Sequence, residues 1–289
     1  MHYYGIGQLV LVESFNMEER EPKLGVAVGR KGCGKTYTTK KMMQQYVMGN
    51  PAKGVAPRRV LILDVNDEFE DIRAISPNDI MRFSVHPKIE MRRIRPFHDN
   101  GKRMTINDIQ ETLFKILNDF RGGLLLIEDV NRYISDYLPN DLVGAICTNR
   151  HTDTDIILHF QSVGRVSPKI WQNLNWIRFH KNTDSVDKHR NKFEDKYEML
   201  KLVENYVNSE YHNYNNQRYF CYVDIDDEKI KGVDRKKFEN VVDLYLAENY
   251  KKLITPMLQK RDLGKGTKVY TPETAVKEQK KRIINYYLD

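Results

Sequence analysis

The residues best suited to chemistry form a glycine-rich stretch that begins at Gly29. Gly29, Gly34, Lys35 and Thr36 follow the spacing Gly-x-x-x-x-Gly-Lys-Thr, the Walker A motif or P-loop. Glycines let the backbone fold tightly around an anion, the lysine can reach the β- and γ-phosphates, and the threonine hydroxyl can ligate Mg²⁺. The spacing therefore predicts a nucleoside triphosphate site, the alternative being a simple glycine turn. The predicted contact residues are Gly29, Arg30, Lys31, Gly32, Cys33, Gly34, Lys35, Thr36 and Tyr37.

Two adjacent acids supply the second chemical signal. Glu128 and Asp129 follow the apolar run Leu124–Ile127, which is the Walker B pattern. One acid is expected to hold Mg²⁺ through its water, and the other to orient or deprotonate the attacking water. Together with the P-loop, the pair predicts hydrolysis rather than binding alone. The alternative is that two acids end a strand by chance.

Two further strand ends carry polar groups. The run Arg59–Leu63 is followed by the acidic cluster Asp64 to Glu68, and the run Ile156–Phe160 ends in Gln161. Open α/β sheets place ligand groups at the carboxyl ends of their strands. The amide of Gln161 could hydrogen-bond the γ-phosphate or the attacking water. The acidic cluster has a solvated turn as its alternative interpretation.

These motifs require a sheet with helices around it. Unbroken apolar runs alternate with helix-compatible segments, which predicts an α/β fold with a mostly parallel sheet flanked by helices. A capping box at Thr105 opens a predicted helix to Phe120, and a long charged helix is predicted over residues 184–211. The expected organisation is a core over residues 1–183, a helix-strand-helix extension over 184–250 and a basic helical tail over 251–289.

Composition narrows the function classes. The 289 residues include 47 Lys and Arg against 40 Asp and Glu, a net charge of +7 that suits a phosphate-rich partner. No stretch approaches the ~18 consecutive apolar residues of a membrane span, and the start lacks a secretion signal layout, so a cytoplasmic location is expected. Cys33, Cys147 and Cys221 lie far apart, which argues against a disulfide framework or a zinc site.

Two segments are rich in cations. In the first, Arg92-Arg93-Ile94-Arg95 is predicted to be a basic loop that could contact the nucleic-acid backbone. The alternatives are that the loop is a solvated face or a contact between subunits. The second, residues 251–282, carries ten Lys and Arg against three acids and is either a nucleic-acid or partner-binding arm or a flexible solvated end. His151, His159 and His180 are interpreted as packing or polar residues rather than metal ligands. The cations of the first segment are Arg82, Lys88, Arg92, Arg93, Arg95, Lys102 and Arg103.

The strand-end motifs resemble those of additional-strand P-loop ATPases with a RecA-like core, and within them the HerA/FtsK superfamily. That superfamily includes DNA-pumping and virus-packaging ATPases, and the resemblance covers roughly residues 24–182. The stretch from Asn149 to Gln161 is also similar to filamentous-phage assembly ATPases related to zonula occludens toxin. Those assembly proteins carry a membrane span, which this sequence does not.

The resemblance implies a homo-oligomeric ring, commonly a hexamer, with ATP and Mg²⁺ between subunits. Gln161 would match the family's sensor glutamine, and Arg150 is the candidate for the arginine given to a neighbouring subunit, with Arg165 and Arg178 as alternatives. The superfamily usually shows Asp-Glu where this chain has Glu-Asp. By position Glu128 would hold the metal with Thr36 and Asp129 would act on water, with Glu68 as an alternative base.

The leading hypothesis is an ATP-driven motor that translocates double-stranded DNA and packages a viral genome. Its expected partners are DNA and a capsid or portal-like vertex protein, and its location the host cytoplasm or the virion. The alternatives are a phage assembly or secretion ATPase acting on protein or a membrane partner, a P-loop small-molecule kinase, and a non-hydrolysing scaffold.

Overall fold

Eight strands of the described chain form one sheet in the order β3-β2-β4-β5-β1-β6-β7-β8. The computed structural model describes residues 21–130, 144–146, 149–262, 264 and 266–289, with the backbone alone at residues 149, 150 and 194. Strands β1 to β6 run parallel, and β7 and β8 continue the sheet as antiparallel strands. The strands are β1 Leu24–Val28, β2 Arg59–Leu63, β3 Met91–Ile94, β4 Gly123–Ile127, β5 Asp155–Phe160, β6 Trp176–His180, β7 Phe220–Asp224 and β8 Lys229–Lys231.

Helices cover both faces of this sheet. The longer ones are α1 Lys35–Met48, α3 Ile106–Asp119, α6 Tyr197–Asn213, α7 Arg235–Glu248 and α10 Pro272–Leu288. The shorter ones are α2 Ile80–Val85, α4 Pro168–Gln172, α5 Arg190–Phe193, α8 Tyr250–Leu253 and α9 Thr255–Leu258. The predicted α/β fold with a mostly parallel, helix-flanked sheet is therefore confirmed. Among the described helices, none has the length and apolar character needed to cross a bilayer.

The central strands are buried on both faces, as their unbroken apolar runs predict. Successive side chains of a strand point to opposite faces, so β2 contributes Leu61 and Leu63 to one apolar cluster and Val60 and Ile62 to another. The second cluster packs beneath α1 through Met43. Burial on both sides therefore fixes the sheet as the rigid support of the site.

The predicted long helix over residues 184–211 is wrong. This segment holds the 3₁₀ turn Val186–His189, then α5, a second 3₁₀ turn and only then α6. Polar side chains make tertiary contacts here: Asp184 accepts hydrogen bonds from Ser162 and His189, and the Glu204 carboxylate accepts one from the Val186 N–H at 2.9 Å. Such contacts compete with the helical ladder before α6, and the regular helix begins only at Tyr197.

The carboxyl-terminal segment is folded onto the rest of the protein. Helix α10 buries Ala275, Ile283, Ile284 and Tyr287, and the Lys280 ammonium lies 2.7 Å from the Asp243 carboxylate of α7. The alternative of a flexible solvated end is therefore wrong for this helix. Its capping box at Thr271 and the one at Thr105 both form, the latter as the sequence predicts.

The direction of the strands determines where the candidate functional side chains lie. The carboxyl ends of β1, β4 and β5 lie side by side at one edge of the sheet, which is where the P-loop, the acid pair and Gln161 follow. Strand β7 is antiparallel, with Phe220 paired to His180 at the end of β6, so residues just before β7 reach the same edge.

Candidate nucleotide site

The loop between β1 and α1 has a backbone that only glycine adopts easily. Gly32 and Gly34 have φ of +80° and +89°, values that residues with a Cβ rarely adopt. A Cβ on Gly29 would lie 2.6 Å from the Cβ of His180 and 2.8 Å from the sulfur of the buried Cys33. The loop therefore needs these three glycines, and it delivers the chain into the amino-terminal end of α1, where an anion is favoured.

Lys35 is the first residue of α1 and folds back over the loop. Its ammonium donates to the carbonyl oxygens of Gly29 and Arg30, the latter at 3.0 Å. Burial lowers the pKa of this lysine, while Glu128 and Asp129 oppose that effect. A lysine ammonium beside the backbone N–H groups of a glycine-rich loop is the arrangement that binds the phosphates of a nucleotide.

Thr36 and Glu128 meet at the centre of the site. The Thr36 hydroxyl donates to Oε1 of Glu128 at 3.1 Å, and the Glu128 side chain is only 4% exposed. Burial raises the pKa of the Glu128 carboxyl to about 7, and the neighbouring acids Asp64 and Asp129 add to the rise.

The oxygens of Thr36 and Glu128 fit a hard divalent cation. Mg²⁺ is held through one or two carboxylates together with substrate phosphates and water, rather than by a cage of protein ligands. No cluster of three or more His, Cys, Asp or Glu that could hold a metal by itself occurs within the described residues. The residues present therefore fit Mg²⁺ bound together with a nucleotide.

Asp129 and Gln161 form a second pair beside the first. The Gln161 amide nitrogen donates to Oδ1 of Asp129 at 2.9 Å, and Asp129 has a φ of +45°, a strained value for a residue with a side chain. Strain of this kind re-aims a side chain, and here it turns Asp129 from the strand end toward Gln161. Glu68 lies at the exposed rim of the same cavity. Partial desolvation there, together with the nearby charge of Glu128, raises the pKa of its carboxyl.

The acidic cluster after β2 is divided between structural and rim positions. Asp64 is fully buried and accepts from the Arg93 guanidinium at 2.7 Å and from the Glu68 and Phe69 N–H groups at 2.9 and 3.0 Å. Asp67 accepts from Arg93 and Arg95. Of this cluster, only Asn66 and Glu68 line the cavity.

The arginine run predicted as a basic loop is wrong in its structure. Arg92, Arg93 and Ile94 belong to strand β3, and the three arginines are ion-paired within the chain. Arg92 pairs with Glu90, whereas Arg93 and Arg95 pair with the acids after β2. Arg93 and Arg95 are neutralised by acids distant in sequence, which a local charge count does not reveal.

Two buried histidines support the site from below. The Nε2 of His159 lies 2.8 Å from the Thr39 hydroxyl and its Nδ1 lies 3.5 Å from Oε1 of Glu128, while the Nδ1 of His180 lies 3.1 Å from the Cys33 carbonyl oxygen. Burial holds the pKa of both imidazoles well below the usual value, so both are neutral at pH 7. His151 is exposed at the turn before β5.

The arginines proposed for a neighbouring subunit differ in position. Arg178 is 0% exposed and donates to the Thr39 hydroxyl and, at 3.3 Å, to the Lys35 carbonyl, so it cannot reach another chain. Arg165 is exposed at the end of the turn Val163–Arg165. Arg150 lies in the turn Asn149–Thr152, and its side chain is outside the described part of the structure.

Known proteins share this architecture. The genome packaging NTPase B204 from Sulfolobus turreted icosahedral virus 2, in complex with ATP-gammaS, superposes with a TM-score of 0.50 at 17% identity, over 74% of this chain and 97% of that one. The same protein in complex with AMP gives 0.50 at 18%, over 74% and 98%. The chain has the fold of a P-loop NTPase.

The resemblance to P-loop ATPases that the sequence motifs predict is confirmed at the level of the fold. The N-terminal domain of zonular occludens toxin from Neisseria meningitidis is a more distant neighbour, with a TM-score of 0.35 at 14% identity over 57% of this chain and 79% of that one. No protein-family description and no curated protein matches the sequence.

The candidate nucleotide site contains residues that the motifs do not indicate. A cavity of about 760 Å³ runs along the loop, and His159 and Arg218, which no motif indicates, line it together with Asn66. Of the predicted contact residues of the loop, all but Gly29, Arg30 and Cys33 line this cavity, and so do Glu68, Glu128, Asp129 and Gln161. Arg218 precedes β7, far outside the motif region, and no local pattern marks it. The antiparallel return of β7 brings it to the loop. Arg30 does not line the cavity, and its guanidinium donates instead to the Tyr211 hydroxyl at the end of α6.

Proposed function

We propose that the protein is an ATP-hydrolysing motor that translocates double-stranded DNA, and that it packages a viral genome. One observation carries the hydrolysis: the P-loop, the Thr36–Glu128 pair and the Asp129–Gln161 pair open into a single cavity of about 760 Å³. Binding groups and water-activating groups therefore lie within reach of one phosphate chain.

The binding half of the mechanism follows from the loop. The backbone N–H groups from Gly32 to Thr36 and the dipole of α1 receive the β- and γ-phosphates, and Lys35 turns from the loop carbonyls to the phosphate oxygens. Thr36 and Glu128 would hold Mg²⁺, which neutralises charge that develops on the phosphate oxygens.

The hydrolytic half falls to the Asp129–Gln161 pair. Glu128 touches Thr36, so it is the metal-side acid, and Asp129 is left to accept the proton of the attacking water. Gln161 can donate one amide hydrogen to Asp129 and present its other groups to that water or to the γ-phosphate. Glu68 at the rim remains the alternative base.

The open rim supports assembly into a ring. Gln161 and Glu68 face solvent on the side where the γ-phosphate would lie. In related reactions an arginine from a neighbour is worth ~10³–10⁵ in rate. We propose that Arg150 of an adjacent subunit fills this role in a homohexamer, with Arg165 as the alternative.

The DNA-translocating part rests on charge and on similarity of fold. B204, which shares the fold, is a genome packaging NTPase. In this chain Arg92, Arg93 and Arg95 are ion-paired, so the carboxyl-terminal segment is the better DNA surface, or the better surface for a capsid or portal-like protein. Its exposed cations are Lys251, Lys252, Lys260, Arg261, Lys268, Lys277, Lys281 and Arg282.

ATP turnover tests both parts of this proposal. We expect the wild type to hydrolyse ATP with Mg²⁺, Lys35→Ala to lose ~10²–10³-fold of the rate, and the exposed-lysine control Lys53→Ala to match the wild type. Duplex DNA at low salt should stimulate turnover, steeply less so as salt rises. Absence of turnover contradicts the hydrolase, whereas turnover indifferent to DNA contradicts only the DNA motor. Phosphoryl transfer to nucleosides would instead support the kinase, and the mass of the oligomer in the same samples tests the ring.

A further inference from the structure

Two exposed side chains meet beside the P-loop on the side of β6 and β7. Tyr37, in the first turn of α1, is 53% exposed, and the Arg218 guanidinium carbon lies 5.8 Å from the centroid of its ring. The stem of Arg218 runs along the loop, because a Cβ built on Gly34 would lie 3.4 Å from both Cβ and Cγ of Arg218. The Lys41 ammonium lies 4.6 Å from the same centroid, so two cations contact the Tyr37 ring, and Arg218 is the one that also runs along the phosphate loop.

The fold determines which part of a nucleotide reaches this pair. The γ-phosphate must lie near Glu128, Asp129 and Gln161, which follow β4 and β5 on one side of the loop. The nucleoside must then leave on the opposite side of β1, where β6 and β7 lie. Tyr37 and Arg218 line the same cavity as Lys35 and Glu128, so the two ends of one ligand can span it.

We propose that Tyr37 and Arg218 form the subsite for the nucleoside half of the triphosphate, with the aromatic base stacked on this pair. The inference rests on the proposed function. Every nucleobase has a π-face, and both a tyrosine ring and a guanidinium plane can stack on it. The residues that hold the phosphates thus come from the P-loop, and a residue before β7 completes the recognition of the base.

Inorganic tripolyphosphate separates a base contact from a phosphate contact. We expect Tyr37→Ala and Arg218→Met to weaken ATP binding roughly 10- to 100-fold, the effect expected for loss of stacking on one base. Tripolyphosphate has no base, so both variants should bind it as tightly as the wild type does. Tyr37→Phe keeps the aromatic ring and should bind ATP like the wild type. Calorimetry with Mg²⁺ measures both ligands.

A matched control exists elsewhere on the surface. The Arg190 guanidinium carbon lies 4.4 Å from the centroid of Tyr197, so Arg190→Met removes a similar pair that does not line the cavity. It should bind both ligands like the wild type. Two results overturn the subsite alone, provided that the wild type hydrolyses ATP. In the first, Arg218→Met weakens the binding of ATP and of tripolyphosphate equally. In the second, Tyr37→Ala and Arg218→Met both bind ATP as tightly as the wild type does. A wild type that binds neither ligand overturns the proposed function and the subsite together.

Discussion

Two buried carboxylates stand side by side at the edge of the sheet and have opposite surroundings. Leu63 pairs with Ile127 in the parallel ladder, so Asp64 after β2 and Glu128 after β4 are neighbours. Asp64, 0% exposed, accepts from one guanidinium and two backbone N–H groups. Glu128, 4% exposed, accepts from the Thr36 hydroxyl and lies 3.5 Å from the neutral His159.

The difference distinguishes a structural acid, Asp64, from the acid that we propose to hold Mg²⁺, Glu128. Arg93 balances the charge of Asp64 inside the folded chain. Asp64 in turn accepts from the Phe69 N–H and so holds the turn from Asp64 to Phe69. Burial raises the pKa of the Glu128 carboxyl to about 7, so its charged form gains most from an incoming cation. An acid at a strand end is thus catalytic or structural according to what the rest of the fold brings to it.

The largest predicted effect is on catalysis, at the acid pair itself. We expect Glu128→Gln and Asp129→Asn each to lower turnover by ~10²–10⁴-fold, the usual range for a positioned acid or base. Only Glu128→Gln should also weaken the Mg²⁺-dependent part of nucleotide binding, because Asp129 does not contact Thr36. Turnover and binding measured across a Mg²⁺ titration separate the two roles, with the exposed Glu70→Gln as control. If Asp129→Asn keeps its turnover, Glu68 becomes the base.

The next effect is on stability, at the structural acid. Arg93→Met leaves the Asp64 charge buried and unpaired, and we expect it to cost about 3–5 kcal/mol of unfolding free energy. Arg95→Met removes a more exposed pair with Asp67, and should cost about 0–1 kcal/mol. Urea unfolding of the two variants at pH 7 makes the comparison. Equal costs would show that the guanidinium on Asp64 is not what balances this site.

Glu128 gives stability a pH dependence that a glutamine removes. Its pKa rises in the folded chain from 4.5 to about 7, so the folded state holds the proton more tightly. The protonated Glu128 therefore stabilises the folded state by about 3 kcal/mol when the pH is below the unfolded-state pKa of 4.5. This contribution to the unfolding free energy is lost as the pH rises through 7. In EDTA, Glu128→Gln should therefore gain about that much relative to the wild type between about pH 5 and pH 8. A difference that stays constant over this interval would contradict the raised pKa.

Much of this site follows from local sequence because its residues sit on short apolar runs. Leu24–Val28 and Arg59–Leu63 are strands with the predicted bounds, and burial on both faces is what their composition indicates. Parallel strands place their carboxyl ends at one edge, so the P-loop, the acid pair and Gln161 could be placed together. The Thr36–Glu128 contact follows from that arrangement.

Contacts between distant parts of the chain could not be predicted in the same way. Arg93 looks like a free cation until β3 pairs with β2 and brings it to Asp64. Arg218 reaches the P-loop only because β7 returns antiparallel to β6. The charged segment 184–211 favours one helix by composition, and its polar side chains are instead used in contacts such as Glu204 to Val186.

The smallest predicted effect concerns how Glu128 is held. The Arg178 guanidinium can only donate, so the Thr39 hydroxyl accepts from it and keeps its own hydrogen available for Nε2 of His159. With Nε2 as the acceptor, the neutral imidazole carries its hydrogen on Nδ1, which lies 3.5 Å from Oε1 of Glu128, longer than an ordinary hydrogen bond.

His159→Asn and His159→Gln test this arrangement with nearly matched chemistry. The asparagine amide lies near the place of Nδ1 and can still donate to Glu128, whereas the glutamine amide extends to the place of Nε2. A hydrogen bond worth ~1 kcal/mol corresponds to roughly fivefold in rate, so we expect the glutamine variant to turn over ATP about fivefold more slowly than the asparagine variant. Thr39→Val, which removes the hydroxyl that orients the ring, should resemble the glutamine variant. Equal rates for asparagine and glutamine would mean that His159 fills space beneath Glu128, and that burial and Thr36 alone set the position of that carboxylate.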